Sequence, residues 1–190
     1  MTIKDLKDRF LGRNVEEILE TLEVYNVPVD IKSILRDKLE IDIVEKLEWD
    51  KLAFDGSVYL NNEGYPEIWL NSAISENRQN FTLAHELGHI INDILPKIDD
   101  FKDSIDDNYD TLYRSSNSNP MEVKANIFAA EFLMPEKFIS QEARNLAKAN
   151  DFDSLSLKQV IQRMADRFRV SFDAMKWRLV NLGYIDKNKL

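Results

Sequence analysis

The chain has 190 residues, 44% hydrophobic and 31% charged, with a net charge of −9 at neutral pH. That balance excludes an extended disordered chain and suits one sizeable domain with at most a small extension. Cysteine is absent, which excludes a disulfide framework, a thiol nucleophile and every zinc site built on thiolates.

The opening stretch "MTIKDLKDRFLGRN" interrupts its apolar residues with charges, so it does not read as a signal-peptide core. No apolar run approaches the roughly 20 residues needed to span a bilayer, and a cytoplasmic protein is expected. Leu6, Phe10, Val15, Ile18, Leu19 and Leu22 recur at helical spacing. Asp30 in "NVPVDIKSILRDKL" is placed to cap a short further helix. "EIDIVEKL" then reads as a strand with Ile41 and Ile43 on one face. "FDGSVYLNNEGYPEIWLN" reads as a turn at Asp55-Gly56, a strand, a second turn and another strand. Pro66, near the start of that last strand, suggests a sheet edge there.

A helix is predicted from about Ser75 to Asp93. The stretch from Pro96 to Pro120, acidic and then rich in Ser and Asn, reads as a long loop that could gate a site. Helices resume over "MEVKANIFAAEFLM" and from Pro135 to about Lys148, and two more are expected at 156–168 and 171–182. The domain reading is 1–150 as one unit with its N-terminal helices, and 151–190 as a helical pair packed on it. Charge is uneven along the chain: from Ser156 to Leu190 there are eight Lys/Arg against three Asp, a net of +5 on a body of −14.

Both of the chain's histidines fall in "FTLAHELGHIIND", as His85 and His89. Residues four apart on a helix differ by about 40° around the axis and about 6 Å along it, so the two imidazoles can reach one ion. Glu86, about 100° away from His85, sits beside that ion where it can take a proton from a water molecule. Gly88 leaves a bare side for the close approach of another segment. A catalytic zinc wants a third protein ligand. No further His or Cys exists, and Leu95 occupies the position where a metzincin carries its third histidine. Asp93 shares the face but lies about 6 Å beyond His89 along the axis. Asp99, Asp100 and the other loop aspartates remain open, as does Glu122. The run Asn119-Pro120-Met121-Glu122 is also good helix-start chemistry, so Glu122 reads either as a cap or as a ligand.

"FTLAHELGH" followed by "EVKANIFAAEFLMP" resembles the ImmA/IrrE family of metallopeptidases, from about Asp55 to Tyr184. Phe132 stands where that family more often has Leu. The resemblance implies an α+β, zincin-like metallopeptidase, mostly helical with a small three-stranded sheet and C-terminal helices. It implies Zn2+ held by His85, His89 and Glu122, with Glu86 as catalytic base. It also implies a helix-turn-helix repressor as the protein substrate, cleaved to relieve repression of a mobile element or stress regulon. Tyr109, Tyr113 and Arg114 are the loop residues that could assist an oxyanion. Zincins commonly hold substrate as an extended strand at a sheet edge, for which "YPEIWL" is expected.

A rival reading is a DNA-binding or partner-binding regulator that has a zinc site but does not cut. Ala165, Val170-Ser171 and Leu179 approximate helix-turn-helix spacing in the basic tail, although Arg169 stands where the turn prefers Gly.

Overall fold

A computed structural model describes residues 1–51, 53–61, 63–98 and 120–187. Helices α1 (Ile3–Phe10) and α2 (Val15–Thr21) each open with a capping box, Thr2 with Asp5 and Asn14 with Glu17. Asp30 accepts from the Ser33 amide and starts α3 (Ile31–Ser33), which continues as a wider π-helical turn over Ile34–Lys38. Leu6, Phe10, Ile18, Leu22 and Leu35 are all buried, so the helical spacing in the sequence marks the face that enters the core.

Three strands follow: β1 (Asp42–Lys46), β2 (Gly56–Leu60) and β3 (Pro66–Asn71). Their order is β1-β3-β2, with β1 parallel and β2 antiparallel to β3. The edge position expected for "YPEIWL" is therefore wrong, because β3 is the central strand. Pro66 is tolerated as its first residue, where the missing N–H interrupts no ladder. Gly56 also differs from expectation. It begins β2 with a negative φ rather than turning the chain, and its lack of a side chain lets α4 come close: a Cβ there would stand 2.5 Å from Thr82 Cγ2 and 3.1 Å from Trp69 O.

Alternation along β3 buries Ile68 and Leu70 in the main core and puts Trp69 on the opposite face, beneath Lys51. Helix α4 (Glu76–His89) packs against β2 and β3 and runs on as a π-helical turn, Ile90–Ile94, and a 3-10 turn, Leu95–Lys97. Among the described residues, its broadest contact is with α5 (Pro120–Leu133). Small residues allow this contact. A Cβ on Gly88 would stand 3.2 Å from Ala125 Cα and 3.2 Å from Phe128. Gly88 thus lowers helix propensity but lets the two axes come close, as the sequence suggested.

After α6 (Glu136–Leu146), α7 (Leu157–Phe168) and α8 (Phe172–Asn181) return to the body of the protein. Ile161, Met164, Phe168, Met175 and Leu179 belong to the same hydrophobic cluster as Leu6 and Leu87. The turn between α7 and α8 docks on the first half of α4. Asn77 Nδ2 donates to Val170 O at 3.1 Å, and Asn80 Nδ2 donates to Arg169 O at 3.3 Å.

Candidate metal centre

Helix α4 places His85 and His89 one turn apart, with their Nε2 atoms 3.0 Å from each other. The close α4–α5 contact brings Glu122, in the first turn of α5, to both. Its Oε2 lies 3.2 Å from His85 Nε2 and its Oε1 3.3 Å from His89 Nε2. Among the described residues, His85, His89 and Glu122 form a group able to hold a metal ion. Ligands about 2.0–2.1 Å from a tetrahedral zinc lie about 3.3–3.4 Å from one another, so the observed separations fit.

The far nitrogens strengthen that fit. His85 Nδ1 meets Asn126 Oδ1 at 3.1 Å, and His89 Nδ1 meets Asp93 Oδ2 at 2.8 Å. Both Nδ1 atoms therefore carry the proton, and both Nε2 atoms turn a lone pair toward the same small space. Two lone pairs at 3.0 Å repel unless a proton or a cation lies between them. Burial and then the neighbouring His89 lower the pKa of His85 below its ordinary 6.5, against the pull of Glu122. At His89, burial works the same way but is outweighed by the Asp93 hydrogen bond and by the charges of Glu86 and Glu122, so its pKa rises.

Asp93 and Asn126 are the residues that sequence reasoning passed over. Asp93 was weighed only as a ligand, and it is indeed too far along the helix to be one. Its place four residues after His89 was nevertheless the signal for a partner to the far nitrogen. Asn126 lies four residues after Glu122, on the same face of α5. Asp93→Ala should weaken zinc binding roughly 10- to 100-fold, as loss of an orienting partner commonly does. Chelator competition measures this, and an unchanged affinity would reduce Asp93 to a packing role.

Glu86 is 5% exposed. Burial is the main cause that pushes its pKa up from 4.5 to about 7. Glu122 adds to the rise, while the charge of His89 and the nearby Val58 backbone amide oppose it. Its Oε2 is buried without a hydrogen-bond partner. Burying such an atom is costly, so packing alone does not account for a glutamate at this position.

The remaining site expectations, Asp99, Asp100, Tyr109, Tyr113 and Arg114, lie outside the described residues, as do Asn119 and most of the expected gating loop. A cavity of about 550 Å³ lies elsewhere, between α2 and the α5–α6 corner. It is lined by Leu19, Glu20, Phe138 and Arg178 among others, and it contains neither histidine.

Among solved structures, a Mycobacterium tuberculosis transcriptional regulator matches with a TM-score of 0.52 and 20% identity, over 94% of this chain and 52% of that one. The chain thus spans about half the length of that regulator, and likeness at this identity speaks for the fold alone. No curated protein matches the chain. The family model described as the IrrE N-terminal-like domain matches residues 36–180, a span that takes in the sheet, the HELGH helix and the helix bearing Glu122. A match over that much of the sequence means that the chain belongs to the Peptidase_M78 family and has its zincin-like fold.

Proposed function

We propose that the protein is a zinc-dependent endopeptidase in which His85, His89 and Glu122 hold the ion and Glu86 is the general base. The observation that carries this reading is the convergence of two imidazole Nε2 atoms and one carboxylate beside a buried glutamate. When bound, zinc supplies Lewis acidity to the scissile carbonyl and to the attacking water. Asn126 and Asp93 keep both imidazoles turned toward the ion. Glu86 accepts the water's proton and returns it to the departing amine, a task suited to a carboxylate whose pKa lies near neutrality.

The substrate in this proposal is a helix-turn-helix repressor in the cytoplasm, cut to relieve repression of a mobile element or stress regulon. The motif resemblance supports that choice, and no described helix is long and apolar enough to cross a membrane. The edge offered to an extended substrate is β2 in place of β3. Asn71 N–H donates to Asp55 O and Asn61 N–H to Tyr65 O, so residues 55, 57, 59 and 61 face β3. The backbone groups of Gly56, Val58 and Leu60 then point the other way.

The test is to incubate the protein and zinc with the helix-turn-helix repressor encoded nearest its gene, and separately with casein. One discrete cut in the repressor, abolished by a chelator, is the expected outcome. Rapid indiscriminate digestion of casein would sink the repressor-specific reading, and binding without a cut would favour a partner-binding role.

The DNA-binding alternative has one observation in its favour. Arg169 adopts the left-handed conformation (φ 51°) that a helix-turn-helix turn requires. Against it, the basic side chains of this region are largely engaged. Arg163 pairs with Asp151, Arg167 with Glu142 and Lys176 with Asp173, while Arg178 donates to Met134 O. Salt-dependent binding to duplex DNA would revive this alternative.

A further inference from the structure

The sheet has a second edge. Among the described residues β1 pairs on one side only, with β3, and it is exposed at every residue except the half-buried Ile43. Its register with β3 assigns its two faces. Ile43 and Glu45 stand beside Ile68 and Leu70 on the core face, while Asp42, Val44 and Lys46 line the outer face beside Glu67, Trp69 and Asn71. Sheet edges are ordinarily protected by a proline, a bulge or an uncompensated inward charge. β1 has no proline, and its inward carboxylate, Glu45, is neutralised by Lys32 at 3.2 Å and Arg36 at 2.9 Å.

The charges on the outer face have a symmetry of their own. Asp42 and Lys46 are opposite in sign and stand two residues to either side of Val44. A second copy of the strand, laid antiparallel with Val44 against Val44, sets Asp42 against Lys46 and Lys46 against Asp42, so both charges are answered by the partner. On the core face Ile43 then meets Glu45, whose charge is already taken by Lys32 and Arg36. This register pairs the whole strand. Sliding by two residues either way leaves three pairs within it, and one of the two slides sets Glu45 against Glu45 and Asp42 against Glu48. Lys46 also lies 3.6 Å from Glu48 of its own chain, but its side chain is 64% exposed and such a surface pair holds it only weakly. Leu47 and Trp49 continue the edge with exposed apolar surface, Trp49 at 80% exposure, and aromatic residues are enriched at protein interfaces.

We propose that β1 is a self-association edge, at which two copies of this chain pair antiparallel about Val44 and join their sheets in the order β2-β3-β1-β1-β3-β2. The partner is a second copy because a two-fold interface has to be complementary to itself, and the charge pattern of β1 is. The joined sheet leaves both β2 edges and both metal centres at its far ends, so the association does not depend on the metal or on peptidase activity. Five residues on each side compare with about 20–30 on each side of a standard stable interface, so the dimer is a reversible one.

Sedimentation equilibrium of the full chain in chelator should show a monomer–dimer equilibrium. Asp42→Lys and Lys46→Asp, each alone, put like charges opposite one another at both outer pairs and should raise Kd at least about tenfold. Mixed in equal amounts, the two variants are complementary and should form a heterodimer about as tight as the wild-type dimer. A wild type that stays monomeric at every concentration overturns the proposal. So does a dimer that neither single variant weakens, because it uses another surface, and so does a mixture no more associated than its components.

A covalent trap provides a second readout. The chain has no cysteine, so Val44→Cys introduces a single thiol. Directly opposed residues of an antiparallel pair have Cα atoms about 4.5–5.5 Å apart, within disulfide range. Under mild oxidation Val44→Cys should form a disulfide-linked dimer at least about tenfold faster than Tyr25→Cys, since pairing raises the local concentration of its thiol. Tyr25 is exposed and outside the strand, so its variant reports chance collision. Equal rates for the two variants overturn the proposal.

Discussion

Replacing Glu86 by Gln should reduce hydrolysis by roughly 10²- to 10⁴-fold, because an amide cannot accept the water's proton at neutral pH. Zinc affinity should stay close to wild type, since Glu86 is outside the group formed by His85, His89 and Glu122. The same substitution should make the metal-free protein more stable. The carboxyl's pKa rises from 4.5 to about 7 on folding, so the folded state favours the protonated form. Below pH 4.5 both states hold the proton and its burial carries no ionisation penalty. As the pH rises from 4.5 through about 7, that advantage is lost, and above 7 a buried anion remains. At about 1.4 kcal/mol per unit, the metal-free wild type should lose about 3 kcal/mol relative to Glu86→Gln over this window. Thermal melts in chelator between pH 4 and 8 measure it, and the gap between the two proteins should widen with pH. A constant gap would mean that the carboxylate is not the destabilising group, and undiminished cleavage would remove Glu86 from the mechanism.

Glu122→Gln should weaken zinc binding by more than about 100-fold, beyond what loss of an orienting partner alone produces. The substitution keeps the shape of the side chain but removes the anion that lies 3.2 and 3.3 Å from the two imidazoles. The fold should change little, because α5 is held by Ala125, Phe128, Ala129 and Phe132 in the core and not by its first turn. Circular dichroism and a zinc-chelator titration separate the two effects. Full zinc affinity in this variant would place the third ligand elsewhere, with Asp99 and Asp100 the first residues to substitute.

The His85–Glu86–His89 face was legible in the sequence because it is a local property. Four residues of helix fix which side chains share a face, whatever the rest of the chain does. The Asp30 cap and the β2–β3 hairpin were legible for the same reason, as each is settled within a few neighbouring residues. Local helix-start chemistry left Glu122 open between cap and ligand, and the motif resemblance named it a ligand; its approach to both histidines depends on α5 crossing α4 at Gly88 and Ala125, a contact between segments some forty residues apart. The hairpin also says nothing about what pairs on the far side of β3. That β1 lies there in parallel, making β3 central and β2 the free edge beside Glu86, depends on a crossover that no local pattern encodes. Gly56 shows the same division. Its sequence context suggested a turn, but its use is set by Thr82 and the Trp69 carbonyl, which only the packed sheet and helix bring to it. Local periodicity and capping thus determined the elements and the metal-facing side chains. Long-range packing decided which carboxylate meets the two histidines, which strand edge is open and what packs beside Glu86, because those depend on distances between segments that the chain joins only through its tertiary contacts.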